Sequence, residues 1–260
     1  MKINKFGNPN NPVIVMLSGS FCTGKSMENI YDILKEDYYV IVPDYTGHYE
    51  NSGNFVSRKD EANKIKEFLK EINVKNIKLI YGQSMGSEIG MELLRQLLID
   101  NINVNYAFFD GAPYIKLSYL YKKVQFFKFK TMINMFRNKS IDEVMQWSFL
   151  KKFAGDKIEQ LRPMIQSMMD SSPYLTKETI KNEVECCYTF DFPVISEEMQ
   201  KNICFFYGED EKAYKTCFKN IEKYYPFSRK IVENGQGHIT YACEHTKEYV
   251  KTINDFINKR

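Results

Sequence analysis

Six short strand-like segments, most of them apolar, constrain this chain more than any other feature. They cover residues 13–17, 39–42, 77–81, 104–109, 203–207 and 227–232. The unbroken apolar run Val13–Leu17 suits a strand buried on both faces, the usual state of a parallel sheet. Helical periodicity lies between or after them, at 25–35, 62–72, 85–98, 212–225 and 241–258. Strands alternating with helices predict an α/β fold with a mostly parallel central sheet flanked by helices.

The alternation breaks once. Residues 113–200 hold no convincing strand, only helical stretches rich in Met and aromatics. The expected organisation is therefore one α/β core, 1–112 and 201–260, interrupted by a helical insertion at 113–200. A chain of 260 residues can hold this as a single unit. With 43% hydrophobic residues it can bury a sizeable core, and a net charge of +3 does not suggest a nucleic-acid binder. The N-terminal residues show no apolar signal segment, and no run is long enough to span a bilayer, so no stable membrane insertion is expected. Six cysteines without a C-x-x-C pair read as reduced thiols in a cytoplasmic protein.

The run Gly82-Gln83-Ser84-Met85-Gly86 sits between a strand and a helix. A serine there lies on a sharp strand-to-helix turn, and its crowded backbone needs small residues two positions before and after it. The helix N-terminus beyond it favours developing negative charge. The bland alternative is a Gly-flanked helix cap, with Ser84 satisfying a backbone N–H.

The order of segments around this turn resembles the α/β-hydrolase superfamily over nearly the full length. It runs Leu17-Ser18-Gly19-Ser20, Asp44-Tyr45-Thr46-Gly47-His48, Gly82 to Gly86, the insertion, Gly208-Glu209-Asp210-Glu211 and Gly235-Gln236-Gly237-His238. The resemblance implies a serine hydrolase with a helical cap over Ser84 as nucleophile. The short stretch before the first confident strand leads us to expect reduced or missing leading strands, leaving six or seven where the family usually has eight. His238 is expected as the base, with His48 in a structural turn and His245 on the last helix. The family's Gly-x-x-Asp spacing lands on Glu211, a Glu for Asp, and Asp210 is the alternative acid. Oxyanion donors are expected from the backbone N–H of Met85 and of Ser20, or Phe21 if the loop is displaced. Ser18-Gly19 stands where the family more often has His-Gly.

A rival motif overlaps this loop. Gly19-Ser20-Phe21-Cys22-Thr23-Gly24-Lys25-Ser26 matches G-x-x-x-x-G-K-[ST], which would cradle phosphates and make the chain a nucleotide binder. That reading leaves Ser84, Glu211 and His238 unexplained. A third reading keeps the hydrolase scaffold for non-ester chemistry or ligand sensing.

Met and aromatic residues in the insertion suit a small, mainly apolar acyl substrate, with Phe21, Tyr114 and Trp147 as candidate contacts. Lys116, Lys122, Lys123, Lys128 and Lys130 interleave with aromatics. Anionic substrate, membrane surface and nucleic acid are the functional readings, and the slight overall charge favours a solvated helix face. The expected partner is a small molecule, without nucleic acid, and neither metal nor organic cofactor is implied.

Overall fold

The computed structural model describes residues 1–148, 150 and 155–258. Seven strands form one sheet: β1 Lys2–Phe6, β2 Val13–Leu17, β3 Tyr39–Asp44, β4 Asn76–Gln83, β5 Asn103–Asp110, β6 Ile203–Gly208 and β7 Arg229–Glu233. Their order across the sheet is β1-β3-β2-β4-β5-β6-β7. All neighbours are parallel except β1, which runs antiparallel to β3.

Side chains alternate across the sheet, as the pleat dictates. In β2, Val15 and Leu17 enter one core layer, while Ile14 and Met16 enter the other. The first layer is roofed by α2 (Arg58–Glu71) and α3 (Met85–Ile99), through Ile65, Leu69, Ile89 and Leu93. Helix α1 (Glu28–Leu34) covers the second layer with Ile30 and Leu34. Burial of each such side chain contributes about 1.5–3 kcal/mol, so both faces hold the sheet.

The chain passes from β2 to β3 on one side, then returns to β4 on the other side of β2. Loops leaving β2 and β4 therefore diverge at the sheet's carboxyl edge, where α/β folds open a crevice.

Among the described residues, the α-helices between β5 and β6 are α4 (Tyr119–Phe136), α5 (Ile141–Met145), α6 (Arg162–Ser171), α7 (Lys177–Cys187) and α8 (Glu197–Gln200), with a 3-10 stretch at Gly155–Leu161. An isolated antiparallel bridge, Lys116 to Thr189, pinches the two ends of the insertion together. Helix α7 is fastened to the core: Arg58 donates to the carbonyls of Cys186 and Thr189, and Asn182 donates to that of Phe55.

After β6 come α9 (Tyr214–Tyr224), then β7, α10 (Thr240–Glu244) and α11 (Thr246–Ile257). Helix α9 joins the first core layer through Cys217 and Ile221, and α11 joins the second through Tyr249 and Ile253. The single final helix expected at 241–258 is thus two, broken at His245 (φ −126°, ψ 47°). The helix expected from residue 25 begins as a 3-10 turn, Gly24–Met27.

Candidate active site

Ser84 has φ 51° and ψ −123°, a conformation that costs a non-glycine residue about 1–3 kcal/mol. Its neighbours explain how the turn survives. A Cβ on Gly82 would lie 2.6 Å from the Gly86 carbonyl oxygen, and one on Gly86 would lie 2.2 Å from that of Leu17. The Ser84 N–H donates to the Asp110 carbonyl at 2.8 Å, and Ser87 Oγ donates to that of Gly82 at 2.8 Å. Both bonds pin the elbow from below. Met85 opens α3, so its N–H has no acceptor within the helix.

His238 follows β7, and its Nδ1 lies 2.8 Å from Glu211 Oε2. Glu211 Oε1 accepts the Gly208 N–H at 2.8 Å. Asp210 is exposed, and only its backbone N–H is engaged, by the Gln236 carbonyl. Of the two alternative acids, the structure puts Glu211 on the histidine. Burial alone would lower the His238 pKa. The hydrogen bond to Glu211, the charge of Glu211 and that of Asp110 outweigh it and raise the pKa above the ordinary value.

The Asp110–Gly111 step joins the two halves. Ser84 hangs from the Asp110 carbonyl, and a Cβ on Gly111 (φ 59°) would sit 2.6 Å from the His238 ring. Asp110 itself is buried, with Oδ2 accepting the Tyr249 hydroxyl at 2.7 Å and Oδ1 lacking a partner. Burial and the charge of Glu211 push its carboxyl up to about 7, against the Tyr249 hydrogen bond and the charge of His238.

The loop after β2 faces Ser84: a Cβ on Gly19 would lie 3.4 Å from Ser84 Cβ. Ser20 Oγ lies 3.1 Å from Cys187 Sγ of α7. Phe21, in the left-handed region at φ 62°, spends its N–H on Glu183 Oε2 at 2.8 Å. Of the two expected oxyanion donors, Phe21 thus has its N–H already engaged. Glu183 Oε1 also lies 3.1 Å from His48 Nε2, and neither side chain reaches solvent. Burial opposes charge on His48, but the carboxylate of Glu183 beside it raises the pKa overall.

The same contacts correct the nucleotide reading. A phosphate cradle needs free backbone N–H groups. Besides Phe21, Thr23 donates its N–H to Ser167 Oγ at 2.9 Å and Gly24 to Asp44 Oδ1 at 2.7 Å. The Cys22 and Ser26 N–H groups close turns onto Gly19 and Thr23. Protein atoms, two carboxylates among them, fill the places phosphate oxygens would take. An open cleft of about 550 Å³ lies behind this loop, among Lys2, Lys25, Asp44 and Tyr49, and includes none of Ser84, Glu211 and His238.

Two of the three expected substrate contacts sit elsewhere. Tyr114 is fully buried among Phe190, Phe192 and Phe205, its hydroxyl donating to the Ser87 carbonyl. Trp147 stacks on Phe136 within the insertion's own core, 5.6 Å between centroids. Phe21 is buried against Phe129 of α4, 5.1 Å between rings. Sequence reasoning gave no role to Glu183. Its signal was a carboxylate on the apolar face of α7, in line with Thr179, Ile180, Val184 and Cys187.

No family model matches the sequence, and no curated protein does either. Solved structures do. An α/β-hydrolase family protein from Desulfitobacterium hafniense superposes with TM-score 0.75 at 19% identity, covering 99% of this chain and 100% of that one. A carboxylesterase structure from Nitrososphaera gargenis gives 0.75 at 16% identity, covering 98% and 93%. An enol-lactonase from Burkholderia xenovorans LB400 gives 0.74 at 14% identity, covering 99% and 96%. Strand order, elbow and full-length superposition agree that the chain has the α/β-hydrolase fold.

Proposed function

We propose that the protein is a serine hydrolase acting on a small, mainly apolar carboxylic ester or related acyl compound. One observation carries the reading: a strained, glycine-flanked serine turn and a His–Glu pair meet at the Asp110–Gly111 step. The esterases and hydrolases among the similar structures lend it support.

Each role follows from the chemistry of its group. Glu211 accepts the Nδ1–H of His238, which leaves Nε2 as the base. His238 takes the Ser84 hydroxyl proton while Oγ bonds to the ester carbonyl carbon. The N–H groups of Met85 and Ser20 receive the negative oxygen that forms. Collapse breaks the bond to the leaving alkoxide, which takes the proton from His238. Water, deprotonated by His238, then attacks the acyl-serine. Its collapse releases the acid and returns the proton to Ser84 Oγ. Phe126, Phe129 and Met132 on the inner face of α4 pack onto Phe21 of the loop after β2, and the insertion thereby acts as an apolar cap. That lining favours an apolar acyl group.

The test is fluorophosphonate labelling together with turnover of p-nitrophenyl esters of graded chain length. We expect stoichiometric labelling that disappears in Ser84→Ala, and turnover that does the same. A folded protein without labelling or turnover would sink the reading and leave a binding role.

A further inference from the structure

Helix α4 turns an apolar stripe away from the protein. Leu120, Val124, Phe127 and Met135 are 70%, 55%, 58% and 45% exposed. They recur at helical spacing along one line, with exposed Tyr119 and Tyr121 beside its start. Single exposed apolar residues are ordinary, but three at successive turns, Leu120, Val124 and Phe127, with Met135 beyond Thr131, mark an interaction surface. The opposite face of α4 is already used, packing Phe126, Phe129, Met132 and Ile133 toward Phe21.

Charge says what the stripe meets. From Gly111 to Ile141 the sequence holds six Lys and one Arg, and neither Asp nor Glu. The slight charge of the whole chain hides this local excess. Lys122 turns to Glu185 of α7, and Lys116 pairs with Asp191. Lys123 and Lys128 are exposed. At helical spacing they flank the Leu120 line on either side, about 60° and 80° away. Two copies joined through this face would set these lysines against each other with no acid on α4 to relieve them. A surface carrying negative charge at its boundary and hydrocarbon below it satisfies both features at once. No helix among the described residues is long and apolar enough to cross a membrane, so such contact is peripheral.

We propose that α4 docks the protein on an anionic lipid surface, with Leu120, Val124 and Phe127 entering the acyl boundary and Lys123 and Lys128 meeting phosphate groups. If the hydrolase reading above is right, docking also sets the apolar cover of Ser84 next to the lipid phase, where apolar esters concentrate.

The experiment is co-sedimentation with vesicles of phosphatidylcholine, with and without a minority of phosphatidylserine, and needs no turnover. We expect binding only with phosphatidylserine, abolished by high salt. The pair Lys123→Glu and Lys128→Glu should weaken binding by about twenty-fivefold or more, at about fivefold per lysine removed. Leu120→Ser, Val124→Ser and Phe127→Ser together should also abolish it. Circular dichroism and the melting temperature should match wild type for both variants. Absence of binding to phosphatidylserine vesicles overturns the proposal, as does equal binding by the variants. A concentration-dependent dimer lost in the serine variant also overturns it, by making a second copy the occupant. Vesicle binding without any ester turnover would leave the docking intact and fail only the hydrolase reading.

Discussion

His238 Nδ1 and Glu211 Oε2 lie 2.8 Å apart, and the other Glu211 oxygen is held by the Gly208 N–H. A carboxylate fixed at both oxygens sets one tautomer and one orientation of the imidazole. Glu211→Gln should therefore lower kcat by about 10³–10⁴ on a soluble ester, as loss of the orienting acid does elsewhere. It should also move the acidic limb of kcat/KM to lower pH, because Glu211 is what raises the His238 pKa against burial. Asp210→Asn should leave kcat within about twofold, since exposed polar changes rarely matter. Steady-state kinetics across pH, run on both variants, check the assignment.

Gly111 gives a second handle on the same histidine. Its φ of 59° and the 2.6 Å approach of a Cβ to the ring mean that an added methyl group must push the imidazole aside. Gly111→Ala should cost about a hundredfold in kcat, the usual penalty for displacing a catalytic group by about 1 Å. A loss of about 1 kcal/mol in stability should accompany it from the left-handed backbone. Unchanged kcat would mean that the ring does not work from this position.

The parts legible in the sequence were those governed by neighbours in the chain. Gly82 and Gly86 are required within two residues of Ser84, and buried strands announce themselves as apolar runs. What escaped depends on distant partners. Strand β1 reads Lys-Ile-Asn-Lys-Phe, too polar for a buried strand, and forms because β3 offers an edge. Glu211 and Asp210 are adjacent in one loop, and only the folded loop decides which one meets the histidine. Tyr114 is as suitable for a pocket as for a core until Phe190, Phe192 and Phe205 surround it. Glu183 meets His48 across 135 positions of sequence (183 − 48), a separation that periodicity cannot span.

Asp110 should make stability depend on pH in an unusual direction. Its folded pKa, about 7, lies above the ordinary value of 3.8. A carboxyl raised in the folded state contributes stability that is complete below about pH 4 and is lost as pH rises through about 7. Asparagine keeps an acceptor for the Tyr249 hydroxyl and cannot ionise. Asp110→Asn should match wild type in melting temperature near pH 4. By pH 8 it should be the more stable, by up to a few kcal/mol. Thermal melts across that range test it, and a gain that shrinks with rising pH would contradict the buried-acid account.

The His48–Glu183 pair should make stability fall as pH rises. Both side chains are fully buried, and Glu183 also holds the Phe21 N–H beside the Ser84 loop. Glu183 raises the His48 pKa above its usual 6.5 despite burial, so the stabilisation is present below about pH 6.5 and fades as pH rises through the folded value. Glu183→Gln retains an oxygen for Phe21 but leaves a buried imidazolium unpaired at low pH. Breaking such a pair costs about 3–5 kcal/mol. The deficit in melting temperature should be largest at pH 6 and shrink toward pH 9, which urea or thermal unfolding at the two pH values would reveal. Glu183→Ala also releases the Phe21 N–H, so it should lower kcat more than glutamine does, by loosening the loop that carries Ser20. Equal kcat for the two variants would confine Glu183 to stability and remove it from the positioning of the site.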